Sequence, residues 1–169
     1  YLVRTPEDAD GKTVWHDRLM EPEKLPAAQS EVPIQIDELR LIRIRDAAQA
    51  RNNVWDTDVF YAPACVSENQ ESRPYYPFMC LWVDRRSETV LAAEMAQHDG
   101  YRHAFVDKLI SIVEHTKTRP REIRVKRELA YDLYQDVAAK LGIPIRQVHK
   151  LGALEGIQAQ LASFMKDRC

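Results

Sequence analysis

The stretch Tyr76-Pro77-Phe78-Met79-Cys80-Leu81-Trp82-Val83-Asp84-Arg85-Arg86-Ser87-Glu88-Thr89-Val90-Leu91-Ala92-Ala93-Glu94-Met95-Ala96 decides the fold class. Tyr76 to Val83 is almost continuously apolar, the pattern of a strand buried on both faces. Asp84 to Glu88 is a polar turn, and Thr89 to Ala96 reads as the partner strand. The segment is expected to be a β-hairpin.

Downstream the pattern changes period. Phe105, Leu109, Ile112 and Val113 recur at helical spacing, with Asp99 as the expected N-cap and Thr118-Arg119-Pro120 as the stop. Ile123 and Val125 alternate with Arg124 and Lys126, a short strand. Leu129, Leu133, Val137 and Leu141 mark a second helix, closed by Gly142 at C′. Ile143 to Val148 reads as a strand, and Pro144 either places it at an edge or is confined to its first residue. Leu154, Ile157, Leu161, Phe164 and Met165 form a last helical stripe.

Upstream, Asp56-Thr57-Asp58 leads into Val59-Phe60-Tyr61-Ala62, a β-branched and aromatic strand, and Ser67 to Pro74 is a polar loop. Residues 34–51 carry two competing patterns. Ile42 and Ile44 alternate with arginines, but Asp37 is a good N-cap and Ile36 can staple onto Leu41. With Ala47, Ala48 and Ala50 following, the reading is a helix over 38–51, ended by Asn52-Asn53. Residues 1–33 contain the breaker-rich Glu21-Pro22-Glu23-Lys24-Leu25-Pro26 and read as a loop-like arm, anchored at most by Val14-Trp15 and Leu19-Met20. The expectation is one α/β domain over 34–169. It has a mixed five-stranded sheet in β-β-β-α-β-α-β-α order, the RNase-H-like order, flanked by helices and preceded by one.

Composition narrows the function. The 169 residues carry 24 Lys+Arg against 26 Asp+Glu, a formal charge of −2, which argues against a dedicated phosphate-backbone binder. No apolar run nears the roughly 18–20 residues of a membrane-spanning helix. The start of the chain lacks a basic-then-apolar signal pattern. Cys65, Cys80 and Cys169 form no disulfide framework, and a reducing cytoplasm is the expected setting. Cys65 and Cys80 read as small buried hydrophobes. The five glycines make neither a P-loop nor a dinucleotide fingerprint, and no G-x-S-x-G occurs, so no cofactor is expected.

Two constellations hold chemistry. Two-metal phosphoryl transfer needs carboxylates from separate elements to converge. The RNase-H-like order nominates Asp58, Asp107 or Glu114, and Glu128, with Asp84 as a substitute. Against this, Lys126 and Arg127 directly precede Glu128 and would stand where a metal must stand. His98-Asp99 and His103 with Asp107 lack zinc spacing, so no metal is expected. The second constellation is basic: Arg73, and Arg119, Arg121, Arg124, Lys126 and Arg127 around the fourth strand. Arginine forks suit a phosphate or carboxylate partner, or a protein partner with matching acids. Tyr75, Tyr76 and Trp82 are candidates for stacking beside it, although the apolar flanks of Trp82 place it in the core.

Three stretches carry a family resemblance: Asp37-Glu38-Leu39 through Val54-Trp55-Asp56-Thr57-Asp58-Val59-Phe60; Arg73-Pro74-Tyr75-Tyr76-Pro77 running into the hairpin; and Arg119-Pro120-Arg121-Glu122-Ile123-Arg124-Val125 followed by Leu141-Gly142-Ile143. Together they resemble a bacterial domain-of-unknown-function family associated with plasmid-encoded ORF-three-like proteins, over about residues 35–160. The resemblance implies a fold and assigns no catalytic residue. The overall expectation is a non-enzymatic cytoplasmic binding or accessory domain, with a divergent RNase-H-like metal-dependent nuclease as the alternative.

Overall fold

The structure, a computed structural model, describes residues 2–9, 11–21, 34–67 and 73–165. It divides into two compact units, 1–33 and 34–169. The first holds an antiparallel hairpin of β1 (Leu2–Ala9) and β2 (Lys12–Leu19), with Pro6 opposite Trp15. The loop-like arm expected here is therefore corrected over these residues. The overlooked signal is Asp10-Gly11, a hairpin dipeptide: Gly11 has φ 73° and its N–H donates to Asp8 Oδ1 at 3.0 Å. Most of the breaker-rich stretch, residues 22–26, and five residues of the polar loop, 68–72, lie outside the described residues.

The second unit runs α1 (Glu38–Ala47), β3 (Gln49–Tyr61), β4 (Phe78–Asp84), β5 (Thr89–Ala96), α2 (Tyr101–Thr116), β6 (Thr118–Val125), α3 (Glu128–Lys140), β7 (Ile145–Gln147) and α4 (Gly152–Met165). Its five strands lie in the order β5-β4-β3-β6-β7. The first three form an antiparallel meander; β6 and β7 add in parallel beside β3. This is the RNase-H-like order, 3-2-1-4-5 when counted within the sheet. No helix among the described residues is long and apolar enough to cross a membrane.

The helix expected over 38–51 begins as read: Asp37 Oδ1 accepts the Arg40 N–H at 3.0 Å. It ends early. Ala48 is extended (φ −84°, ψ 130°), and the Gln49 N–H donates to Lys117 O at 2.9 Å. Pairing with β6 outweighs the helix propensity of the alanines, and β3 starts ten residues before the expected Val59. Asn52 and Asn53 sit in a register shift of this pairing rather than at a helix end. The shift lies beside Pro120, whose nitrogen has no hydrogen to donate. Pairing with β3 also starts β6 at Thr118, where a helix stop was expected; Lys117, left-handed at φ 49°, reverses the chain. The α2 N-cap is Gly100, not Asp99, and makes no side-chain cap bond. Gly142 does occupy C′ of α3, at φ 70°.

Strand alternation sorts the core into two. Trp55, Val59, Cys80, Trp82, Ile123 and Val125 face α1, α2 and α3 in the larger cluster. Leu81 and Val83 face α4, joined by Leu151 and Leu154 and flanked by Phe60 and Ile157. Strand β4 is thus apolar on both faces because both are covered. The far end of the α4 stripe leaves the core, with Phe164 exposed.

Candidate functional site at the carboxyl end of the parallel strands

Asp56 and Asp58 are two residues apart, so both project from β3 toward the α4 face, between the larger core's Trp55 and Val59. That face would otherwise be apolar, and each carboxylate there has its own cation. Asp56 is opposite Arg124 of β6 in the parallel register. Its two oxygens accept from Arg124 Nε and one terminal nitrogen, each at 2.9 Å, a bidentate fork with both residues buried. Asp58 lies nearer the carboxyl end. Its Oδ1 accepts the Arg127 N–H at 3.1 Å, and its Oδ2 accepts from the Arg127 guanidinium. Arg127 is the N-cap residue of α3 and has no side-chain cap bond. A carboxylate from another element therefore occupies that helix N-terminus, where the dipole favours negative charge.

The Arg127 guanidinium also donates to Val59 O at 3.3 Å and lies over the Phe60 ring at 5.9 Å. Its side chain remains 48% exposed. Beside it Lys126 Nζ meets Glu155 Oε1 at 2.6 Å, tying α4 to β6. This ammonium holds the Glu155 carboxyl below its ordinary range, with Lys150 adding a smaller pull.

Burial pushes the Asp58 pKa up, against the lowering pull of the Arg127 N–H and charge. A carboxyl whose folded pKa exceeds its unfolded value binds its proton more tightly when folded. Its contribution to stability is present at acid pH and is lost as pH rises through the raised value, above the usual ~4. Asp58→Asn is expected to remove that component. Denaturant unfolding of both proteins over the acid-to-neutral range checks it; identical pH profiles would sink the assignment.

The nuclease candidates are not brought together. Asp107 and Glu114 lie on α2, across the sheet from Asp58, and both bind Arg40, at 3.1 and 2.7 Å. Glu128 is exposed in the first turn of α3. Asp84 accepts from the Arg86 and Ser87 N–H groups and from Asn53. Among the described residues no three of His, Cys, Asp and Glu gather as a metal site. His98 is 3.8 Å from Asp99 and packs on Phe78 and Tyr101, and His103 is exposed.

The basic cluster is largely committed inside the fold. Arg119 donates to Ala48 O at 3.3 Å and Leu141 O at 3.2 Å. Arg124, Lys126 and Arg127 hold acids, while Arg73 and Arg121 are exposed. Trp82 is fully buried and Tyr75 partly so; Tyr76 is exposed. Cys80 is buried, which pushes its thiol up to about 11, while Cys65 is only half-buried and Cys169 lies outside the described residues. Sequence reasoning passed over Asp56. The Asp-x-Asp spacing was the available signal for it.

A family model described as a domain of unknown function (DUF6930) matches residues 40–162. The chain belongs to this family. The match carries no link to bacteria or to plasmid ORF-three-like proteins. No curated protein matches this DUF6930 chain.

Among solved structures it is similar to the simian T-cell lymphotropic virus intasome in complex with PP2A regulatory subunit B56 gamma. There the TM-score is 0.48 at 20% identity, over 75% of this chain and 45% of that one. It is also similar to the HTLV-2 integrase catalytic core domain in complex with magnesium, dimeric form (TM-score 0.44, 15% identity, 72% and 76% covered). The Mos1 strand transfer complex gives 0.40 at 12%, over 82% and 53%. The DUF6930 chain thus spans under half of the first of these. These likenesses concern fold and assign no activity.

Proposed function

We propose that this DUF6930 domain is a non-enzymatic binding module that holds an anionic partner at the carboxyl end of β3 and β6, with Arg127 as the principal contact. The observation that carries this reading is that a half-exposed guanidinium, Arg127, stands at this end on Asp58, with Lys126 on Glu155 beside it. A divalent ion there would have to displace a guanidinium that is already bonded. The Arg127 side chain is only half-buried, so a phosphate can add to the carboxylate it already holds. Arg121 and Arg73 are exposed cations of the same proposal, whereas Arg119 and Arg124 serve the fold. A cytoplasmic setting, and the bacterial, plasmid-associated context implied by the sequence resemblance, belong to this proposal and suit an accessory module that meets nucleic acid.

The test is oligonucleotide binding across a salt series. With two or three phosphates contacted, log K against log salt should fall with a slope of about −1.4 to −2.1 for a single strand. Arg127→Gln should weaken binding and flatten the slope by about 0.7, provided its melt matches the parent. A flat response, or one that Arg127→Gln leaves unchanged, defeats the reading. Manganese-supported cleavage that disappears in Asp58→Ala would establish the nuclease instead.

A further inference from the structure

The hairpin β1–β2 is a sheet of two strands, and β2 is exposed along its whole length. Two strands alone are marginal in water; further strands are what make such a sheet stable. Leu2 lies opposite Leu19 and Pro6 opposite Trp15, so one face carries all four. Leu2 is 65% exposed, Trp15 56% and Leu19 83%. Apolar side chains this bare, beside an open strand edge, mark an interaction surface.

The two edges are not alike. Ala9 and Lys12 flank the two-residue Asp10-Gly11 loop, and in such a hairpin the flanking pair exchanges its backbone bonds inward. The pattern alternates, so Val14 and His16 bond to β1 while Thr13, Trp15 and Asp17 turn their N–H and C=O groups outward. On β1 the outward residues are Arg4, Pro6 and Asp8. Pro6 has no N–H, so the outer edge of β1 cannot carry a continuous ladder. The outer edge of β2 holds no proline, and among the described residues no other strand pairs with it. A strand can be added on one side only.

That asymmetry selects the occupant. When a second copy pairs β2 with β2 antiparallel about a two-fold axis, four strands result and both outer edges are β1 edges closed by Pro6. The assembly stops at two. A single strand from another protein would leave its own far edge open. The hairpin sets Arg4, Lys12 and Arg18 against Glu7, Asp8, Asp10 and Asp17, so two copies meet with little net repulsion. Trp15 and Leu19 lie on the seam, where they become cross-strand neighbours of the other copy.

We infer that the outer edge of β2 is a dimerisation site, at which two copies of this chain pair β2 against β2 in a closed four-stranded sheet. The test is the mass of the full chain, by sedimentation over a concentration series, for the parent and two variants. Asp17→Pro removes an outward N–H from the β2 edge. Arg4→Pro removes the outward N–H directly opposite, on the β1 edge, and both variants lose the same Arg4–Asp17 ion pair. The parent should dimerise. Asp17→Pro should weaken the dimer by at least about 30-fold, because each copy then leaves a carbonyl of the other unpaired. Arg4→Pro should stay within about 2-fold of the parent, since that edge is already closed. A parent that stays monomeric up to about 1 mM overturns the inference. A dimer that Asp17→Pro keeps, or that both variants lose equally, overturns it as well.

Discussion

Arg124→Met should lower the unfolding free energy by about 3–5 kcal/mol. Asp56 is fully buried and spends both oxygens on that guanidinium. Methionine conserves much of the volume but leaves a carboxylate in a dry interior with neither countercharge nor donor, and breaking one side of a buried pair is the costly operation. The paired replacement Asp56→Leu with Arg124→Met removes both charges and should return to near the parent value. Urea unfolding separates the cases. At about 1–3 kcal/mol per molar for the slope, the single variant should lose about a molar or more in midpoint. A single variant within about 0.5 kcal/mol of the parent would mean that water reaches Asp56.

Trp82→Ala should be comparably damaging, at about 3–5 kcal/mol. The indole lies wholly inside the larger core, edge-on to Trp55 at 6.4 Å and to Tyr134 at 4.9 Å between ring centres. Removing it empties a space that strand β4 and helix α3 cannot close without moving. Unfolding midpoints measure the loss. Oligonucleotide affinity, measured on the folded fraction, should stay at the parent value, because Trp82 shows no face to solvent. A stable Trp82→Ala protein with lost binding would return the residue to the stacking role that its neighbours in sequence argue against.

Much of the fold was legible because it rests on local period. The β4–β5 hairpin, the apolar faces of α2 and α3 and the Asp37 cap are written in spacings of two to four residues. The errors came where a distant partner overruled local preference. Gln49 to Arg51 are helix formers that became strand because β6 was there to pair with them. Asp10-Gly11 was a local signal that the reading of the arm passed over. The site was less legible. The sequence shows that Lys126 and Arg127 crowd any metal near Glu128, and the structure places Arg127 on Asp58. It does not show that Arg119 and Arg124 are structural, since their partners lie 71 and 68 residues away.

Alternation and helical spacing alone determined the order and type of most elements in 34–165, and with them the strand count of the sheet. Only the tertiary structure decided which arginine answers which aspartate, and which ring is left bare. Those outcomes depend on the register of β3 against β4 and β6. That register is set by packing across the whole sheet, and no local stretch of chain carries it.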